Sequence, residues 1–191
     1  MTSRVDSLPT SIEELNALSR EELVDAFLTL SAPAPGELVG ELDGFTPDYL
    51  AAEFAKTAED DGFGVWLGKG FVPEPHDAWS GHGYNVWDSG AETARRVRFG
   101  WGVSNSILDG RPCAIIEYRA FNNAYADLDL TDEIRKLADG LYLGIATTDG
   151  ASRVCPWGGG QGGRSLPTTF LLRAARSEVA GPDDPAGERR S

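Results

Sequence analysis

The feature that most constrains the fold is a series of short β-type segments that begins at residue 63. These segments are rich in aromatic and branched residues and cover 63–71, 83–87, 95–103, 113–121, 141–148 and 168–173. Turn sequences such as Asp109-Gly110 and Asp139-Gly140 separate several of them. Asp-Gly is a strong signal for a tight hairpin turn. Many short strands joined by turns are typical of an antiparallel sandwich or barrel.

Residues 133–137 fit either a short helix or a strand when they are considered alone. The tight turn at Asp139-Gly140 directly follows them, and a second β-type segment starts at residue 141. This arrangement favours a strand in a β-hairpin.

The first third of the chain has a helical pattern. Ser11 followed by Glu14, and Ser19 followed by Glu22, fit the capping box that begins a helix. The proline-containing stretch 31–36 ends this helical region, because proline disfavours a helical residue before it. We predict a short strand over 37–45 and a second helix over 47–59, which Thr46-Pro47 would begin.

These patterns predict an α+β fold that is mainly β: a single antiparallel β-barrel with two N-terminal helices packed at one end. We predict three parts, namely an N-terminal helical segment over 1–35, a barrel domain over 36–176 and a disordered polar tail over 177–191. The tail is expected to be disordered because it has too little apolar surface to offset the entropy of ordering.

Charge and cysteine content narrow the function classes. The chain has 30 acidic and 17 basic residues, a formal net charge of −13. Such a charge disfavours binding to nucleic acids and to anionic membranes, because that binding usually depends on clustered Lys and Arg. No apolar run approaches the ~20 residues of a membrane span, and residues 1–9 lack the apolar core of a signal peptide. With two cysteines, Cys113 and Cys155, we expect a cytoplasmic protein with reduced, inert thiols.

Glu117 and Arg119 are the first candidate catalytic residues. They lie two apart on a predicted strand and therefore share one face. On that face, Arg119 would hold a ligand carboxylate or carbonyl, and Glu117 would orient the ligand or accept a proton. A structural ion pair or a solvated outer face is the alternative. Both faces of the segment carry apolar residues, so if the opposite face is interior, Tyr118 is the polar group in the cavity.

His82 and Tyr84 are the second pair of catalytic candidates. They alternate along one predicted strand and point to the same side, where His82 would serve as a general acid or base because its ordinary pKa is near neutrality. A solvent-facing strand side is the alternative. His76 and His82 alone do not form a metal-ligand pattern, so no metal is expected.

Aromatic and basic residues provide the candidate ligand contacts. Apolar aromatic walls with a few polar groups are typical of small-molecule pockets. Arg98 is a candidate for binding an anionic group, and its alternative is a solvated strand face on which Arg96 would lie beside it. The predicted ligand-binding residues are Trp66, Trp87, Arg98, Trp101 and Tyr118.

The glycine-rich segment 158–165, GGGQGGRS, is similar to a phosphate-binding P-loop with Arg in place of Lys. That motif binds phosphate between a strand and a helix. Here Leu166-Pro167 follows at once and no helical pattern begins. We therefore expect a loop at the rim of the barrel and no nucleotide binding.

Several motifs in order along 36–173 resemble a known family. In GELVGELDG, residues 36–44, Gly40 and Gly44 match the two glycines of the GXWXG-type lipocalin-like family, and Leu42 stands where the family has tryptophan. WLGKGF, residues 66–71, is similar to the second motif of the family. Residues 117–120, the 133–144 hairpin and the closing strand 168–172 resemble the partner domain of unknown function that usually follows. The resemblance implies one antiparallel barrel of the calycin kind and gives no catalytic residue.

Together the residues and the resemblance predict a barrel that binds a hydrophobic small molecule, lipid- or polyketide-like. We expect it to transform that molecule without a cofactor, as a cyclase, isomerase or lyase of secondary metabolism. A non-catalytic carrier is the alternative, and a structural subunit of a larger assembly is a third; a homodimer is compatible with the sequence. An enzyme should have two or more polar groups with shifted pKa values in the cavity, whereas a carrier needs only apolar walls.

Overall fold

Eight antiparallel strands form a closed barrel in the computed structural model, which describes residues 8–60, 63–123, 125–126, 130–148 and 167–174. The strands are β1 (Gly40–Phe45), β2 (Val65–Glu74), β3 (Asp77–Asp88), β4 (Thr93–Asn105), β5 (Pro112–Glu117), β6 (Leu130–Ala138), β7 (Leu141–Thr148) and β8 (Thr168–Ala174). The helices are α1 (Ile12–Asn16), α2 (Arg20–Thr29) and α3 (Asp48–Asp60), and Tyr118–Ala120 forms a 3-10 turn.

Each strand pairs with the next one along the chain, and β1 pairs with β8 to close the barrel. The predicted α+β barrel is therefore confirmed. Alternation sends every second side chain inward: Leu42, Lys69 and Asn85 lie opposite one another on β1, β2 and β3 and are all buried. A barrel of eight strands is just wide enough to be filled by side chains or to hold one small ligand.

The 133–137 segment is a strand, as the hairpin interpretation predicts. It belongs to β6, which pairs with β7 throughout. Gly140 in the connecting turn has φ +66°, a left-handed conformation that glycine adopts at little cost.

The N-terminal region forms two short helices that pack on the side of the barrel. Both predicted caps are present, since Ser11 accepts a hydrogen bond from the backbone of Glu14 and Ser19 forms a full capping box with Glu22. Leu23, Ala26 and Phe27 of α2 are buried at helical spacing. They and Leu15 pack on outward-facing residues of the barrel, namely Cys113, Leu141, Leu143, Ile145 and Leu171.

Of the two helices expected at one end of the barrel, the one predicted over 47–59 is found there as α3, whereas the N-terminal one is not. α1 and α2 cover an apolar strip on the outer wall. α3 lies in the connection between β1 and β2, where Leu50 and Phe54 line the interior cavity. It therefore packs across the end of the barrel at which β1 finishes.

A bulge interrupts alternation in β4. Val97 has φ +57°, which is unusual for a β-branched residue, and the pairing of β3 with β4 shifts register beside it. Alternation alone therefore does not determine where Arg96 and Arg98 lie. Arg96 is exposed, whereas the guanidinium of Arg98 stacks 4.2 Å from the ring centre of Phe121.

Candidate active site inside the barrel

A cluster of buried polar side chains lies inside the barrel. Lys69 on β2, Asn85 on β3 and Asp132 on β6 are inward members of their strands, and Tyr118 follows the last residue of β5. Asp132 lies between two interior apolar residues of the same face, Leu130 and Ile134. Buried polar groups need hydrogen-bond partners, and these four side chains provide most of one another's partners.

Lys69 is the centre of this cluster. Its Nζ lies 2.9 Å from Asp132 Oδ2 in an ion pair, and it donates to Tyr118 OH at 2.6 Å and to Asn85 Oδ1 at 2.8 Å. An ammonium has three N–H donors. The three partners of Lys69 therefore account for all of its donors.

The other members of the cluster are held by further hydrogen bonds. Tyr118 OH donates to Asp132 Oδ2 at 2.8 Å. Asn85 Oδ1 also accepts from Trp66 Nε1 at 3.2 Å, and Asn85 Nδ2 donates to the carbonyl of Val97 at 3.2 Å. The bulge at Val97 thus supplies a backbone acceptor for Asn85, and this links the strained backbone of β4 to the polar cluster.

Burial changes the acid–base properties of the cluster. Lys69 is 3% exposed and Asp132 is 2% exposed. Burial lowers the pKa of the Lys69 ammonium, and the charge of Asp132 opposes that shift. Burial, with the negative charge of Asp132, raises the pKa of Tyr118 well above its ordinary value. Tyr118 therefore keeps its proton at neutral pH and remains a donor to Asp132.

The cluster borders a cavity with an empty volume of about 500 Å³, its open mouth included. Most of the wall is apolar, and a few polar groups interrupt it, which is the usual composition of a small-ligand site. The residues that line it are Thr46, Leu50, Phe54, Trp66, Lys69, Asn85, Trp87, Tyr118, Tyr125, Leu130, Asp132, Ala146, Thr168, Thr169 and Phe170.

Two polar atoms of the cavity residues have no hydrogen-bond partner among the described residues. They are Asp132 Oδ1, an acceptor, and Trp87 Nε1, a donor, and both are buried. The other oxygen of Asp132 accepts from Lys69 and Tyr118. A buried polar atom without a partner is rare in folded proteins, and both of these atoms belong to residues that line the cavity.

The structure does not place Glu117 and Arg119 in the cavity. Both side chains are exposed, and Arg119 belongs to the 3-10 turn and not to the strand. Ile116 and Tyr118 occupy the interior instead. The expected inward position is wrong because α1 and α2 cover part of the outer wall, so that outward positions also carry apolar residues. The alternative face, with Tyr118 as the polar cavity group, is the one the structure shows.

The other catalytic candidates are also outside the cavity. His82 and Tyr84 do share one side of β3, but the interior side holds Asn85 and Trp87. Tyr84 OH donates to Glu41 Oε1 at 3.0 Å, and Glu41 in turn accepts from Arg95 Nε at 2.6 Å. Tyr84 therefore belongs to a polar cluster on the outer wall.

Three of the five predicted ligand-binding residues line the cavity: Trp66, Trp87 and Tyr118. Their contact with a ligand stays a prediction. Trp101 is interior but lies beyond the cavity, 5.9 Å from the ring centre of Phe71. Arg98 alternates with the interior residues Val97 and Phe99 and stacks on Phe121, so it is not a cavity residue either.

Sequence reasoning missed Lys69, Asn85 and Asp132 as site residues. Lys69 lies within the WLGKGF motif, and Asp132 shares a strand face with Leu130 and Ile134. A charged residue on an otherwise apolar strand face is the signal that would have identified Asp132. Asn85 alternates with Trp87, which was itself a candidate, and the same alternation would have indicated it.

A second buried polar cluster lies under α2, and its side chains connect parts of the fold to one another. Arg135 donates to both carboxylate oxygens of Asp109, at 2.8 and 2.7 Å, and to the carbonyl of Phe27 at 3.0 Å. Beside it, burial and the nearby charge of Glu133 raise the pKa of Cys113 to about 12. This cluster joins the β4–β5 turn and α2 to the barrel wall.

We predict that Cys113 is unreactive while the protein is folded. The thiolate is the reactive form, and a pKa near 12 in place of about 8.5 lowers its population about 10³-fold at pH 8. The Cys155→Ser variant leaves Cys113 as the single thiol. Its alkylation by iodoacetamide should be about 10³-fold slower in buffer than in guanidinium chloride. Equal rates would contradict the burial of this thiol.

Other sequence features give no further site. His76 is exposed in the turn between β2 and β3, and within the described residues no group of His, Cys, Asp and Glu is arranged to hold a metal ion. The helices of the described ranges are each too short or too polar to cross a membrane. The P-loop-like segment 158–165, Cys155 and the 177–191 tail lie outside the described residues.

The fold and the cavity define a class, an eight-stranded antiparallel barrel with a polar cluster in a mainly apolar cavity. No protein-family model matches the chain, and no curated protein matches it. Among solved structures it is similar to a protein from Thermomonospora curvata, whose description states no function. The two share 16% sequence identity with a TM-score of 0.57, over 84% of this chain and 90% of that one. This similarity shows the fold alone.

Proposed function

We propose that the barrel binds an apolar small molecule in its cavity and transforms it by proton transfer, without a cofactor. The observation that carries the proposal is the state of Asp132. One carboxylate oxygen is fixed by Lys69 and Tyr118, and the other is buried beside the cavity without a partner among the described residues. A carboxylate held in this way is oriented to bind or deprotonate a ligand group.

The polar cluster favours catalysis over simple transport. A carrier needs apolar walls and one anchor, whereas this cavity contains several convergent polar groups. Two of them, Lys69 and Tyr118, have pKa values shifted by burial. Shifted titratable groups in a cleft are common at active sites.

In the proposed reaction Asp132 is the general base. A C–H or O–H bond of the bound molecule breaks, the proton goes to Asp132 Oδ1, and the electron pair stays on the molecule as an enolate or alkoxide. In an isomerisation or cyclisation the same carboxyl returns the proton to another atom, so no oxidant or reductant is needed. Lys69 and Tyr118 are positioning residues that hold the other oxygen of the carboxylate.

We also propose membership of the GXWXG-type lipocalin-like family. Two of the motif residues that carry the resemblance meet in the barrel. A Cβ atom on Gly44 would lie 2.5 Å from Trp66 Cζ3, so the indole ring packs directly over this glycine. The motif also supplies Lys69 to the polar cluster.

Native mass spectrometry of the protein from its own host tests the binding part of the proposal. We expect an additional mass from a retained small molecule. Ala146→Phe should abolish it, because Ala146 lines the cavity and a phenyl group would fill the space. Glu117→Gln, on the exposed outer face, is the control and should retain the molecule. Retention by the Ala146→Phe variant would place the ligand elsewhere and overturn the proposal.

Deuterium incorporation tests the catalytic part. After incubation of the complex in D2O, the molecule recovered from the wild-type protein should contain deuterium at carbon. Asp132→Asn retains the shape of the side chain but loses the base, and it should reduce the exchange rate by about 10²–10⁴. No exchange above solvent background with the wild-type protein would rule out proton transfer to or from carbon in the cavity.

A further inference from the structure

We infer that the cavity selects a neutral molecule that donates a hydrogen bond, such as an alcohol, a phenol or a secondary amide, and disfavours carboxylates. This inference rests on the proposed function and specifies its ligand class. The ligand class follows from the donors and acceptors of the polar cluster that are already used and from those that remain.

The charges of the described residues that line the cavity are balanced. Lys69 and Asp132 are the charged residues among those that line it, and they pair with each other at 2.9 Å. A ligand carboxylate would bring a second negative charge next to Asp132 in a buried environment, which is unfavourable. A ligand cation would leave the cavity with a net positive charge and would lose its own hydration.

The donors of the cluster are also used. The three N–H groups of Lys69 have three partners, and the hydroxyl proton of Tyr118 goes to Asp132. An anion could therefore reach Lys69 only by displacing one of these bonds. The unused atom of the cluster is Asp132 Oδ1, which is an acceptor and calls for a donor on the ligand.

Trp87, in contrast, requires a hydrogen-bond acceptor on the ligand. Its Nε1 is a buried donor without a partner among the described residues, and the side chain lines the same cavity. A ligand that also carries an oxygen acceptor would satisfy it. Hydroxyl and amide groups provide both a donor and an acceptor, whereas an ether provides only the latter.

Four small probes of similar length test the inference by isothermal calorimetry at neutral pH: 1-octanol, its isomer heptyl methyl ether, octanoate and 1-octylamine. The alcohol and the ether have the same atoms and differ in the donor. We expect 1-octanol to bind about tenfold or more tightly than the ether, because its hydrogen bond is to a charged group. We expect octanoate and 1-octylamine to bind at least about tenfold more weakly than 1-octanol.

Two variants sharpen the test. Asp132→Asn removes the negative charge and leaves Lys69 without its counter-ion, so affinity for octanoate should rise about tenfold while the preference for 1-octanol over the ether decreases. Trp87→Phe keeps an aromatic wall and the ion pair but removes the Nε1 donor, so the affinities for 1-octanol and for the ether should both decrease while 1-octanol remains the tighter ligand. The wild-type comparison stands by itself if Asp132→Asn does not fold.

The outcomes separate this inference from the proposed function. Equal binding of 1-octanol and the ether, both lost in Ala146→Phe, would overturn donor recognition and leave cavity binding intact. Tighter binding of octanoate or of 1-octylamine would overturn selection of a neutral molecule. If none of the four probes binds, the proposed function fails together with the inference.

Discussion

Replacing Lys69 with methionine is expected to lower the free energy of unfolding by about 3–5 kcal/mol, because Asp132 then stays buried without its cation. Methionine has a similar length and would keep most of the packing. The decrease in the free energy of unfolding would therefore come mainly from the carboxylate that has lost its cation. Denaturation in guanidinium chloride, followed by tryptophan fluorescence, measures it.

Two controls make this result specific. Lys56 is exposed on α3, and Lys56→Met should change the free energy of unfolding by less than about 0.5 kcal/mol. The double variant Lys69→Met with Asp132→Leu removes both charges, and it should recover most of the lost stability because no buried charge remains. If Lys69→Met lowers the free energy of unfolding by less than about 1 kcal/mol, water reaches Asp132, and this would contradict its burial.

The barrel itself could be predicted from the sequence because its signals are local. Asp139-Gly140 shows a tight turn, and the two serine caps show helix starts, so neighbouring residues decide these elements. In an up-and-down barrel each strand pairs with its neighbour along the chain. Local turn chemistry therefore gives most of the topology.

The interior face could not be predicted, since apolar residues occur on both sides of the relevant strands. In β5, Ile116 is interior, whereas Cys113 packs on the outer wall under the N-terminal helices. A strand with one solvated face would have shown a clear alternation of apolar and polar residues. Here the covering helices make the outer face apolar too, and the exposed Glu117 then resembles an inward charge.

The polar cluster could not be predicted because its partners are far apart in the chain. Lys69 and Asp132 are on β2 and β6, and their contact exists only once the barrel has closed. Each of them taken alone resembles an ordinary surface charge. The resemblance in WLGKGF marked the right segment, but it did not indicate that the lysine is the buried member of an ion pair.

The bulge in β4 is a second feature that alternation does not predict. One extra residue at Val97 shifts the register between β3 and β4, so simple alternation does not continue through this part of β4. The same bulge presents the Val97 carbonyl to Asn85. A local exception to the strand pattern thus coincides with the site, as is common for bulges near functional groups.

The second large effect is expected for Gly68→Ala, at the centre of the WLGKGF motif. Gly68 has φ +142°, and a Cβ atom there would lie 2.0 Å from the carbonyl oxygen of Leu42 on the neighbouring strand. The costs of the backbone strain and of the clash with a neighbouring backbone add together. We therefore expect the free energy of unfolding to decrease by about 3 kcal/mol. Thermal unfolding should show a decrease in Tm of about 6–12 °C for a chain of this length.

Gly102→Ala is the matched control on β4, because its conformation is ordinary and an added Cβ would meet Ser80 Cβ at 3.8 Å, a normal contact. It should change Tm by no more than about 2 °C.

Gly68 lies between Trp66 and Lys69, so a shift of β2 in Gly68→Ala should also disturb the Lys69–Asp132 pair and weaken the binding of 1-octanol. An unchanged Tm for Gly68→Ala would show that β2 relaxes around the new side chain, and that the motif glycine is not what holds Trp66 and Lys69 in place.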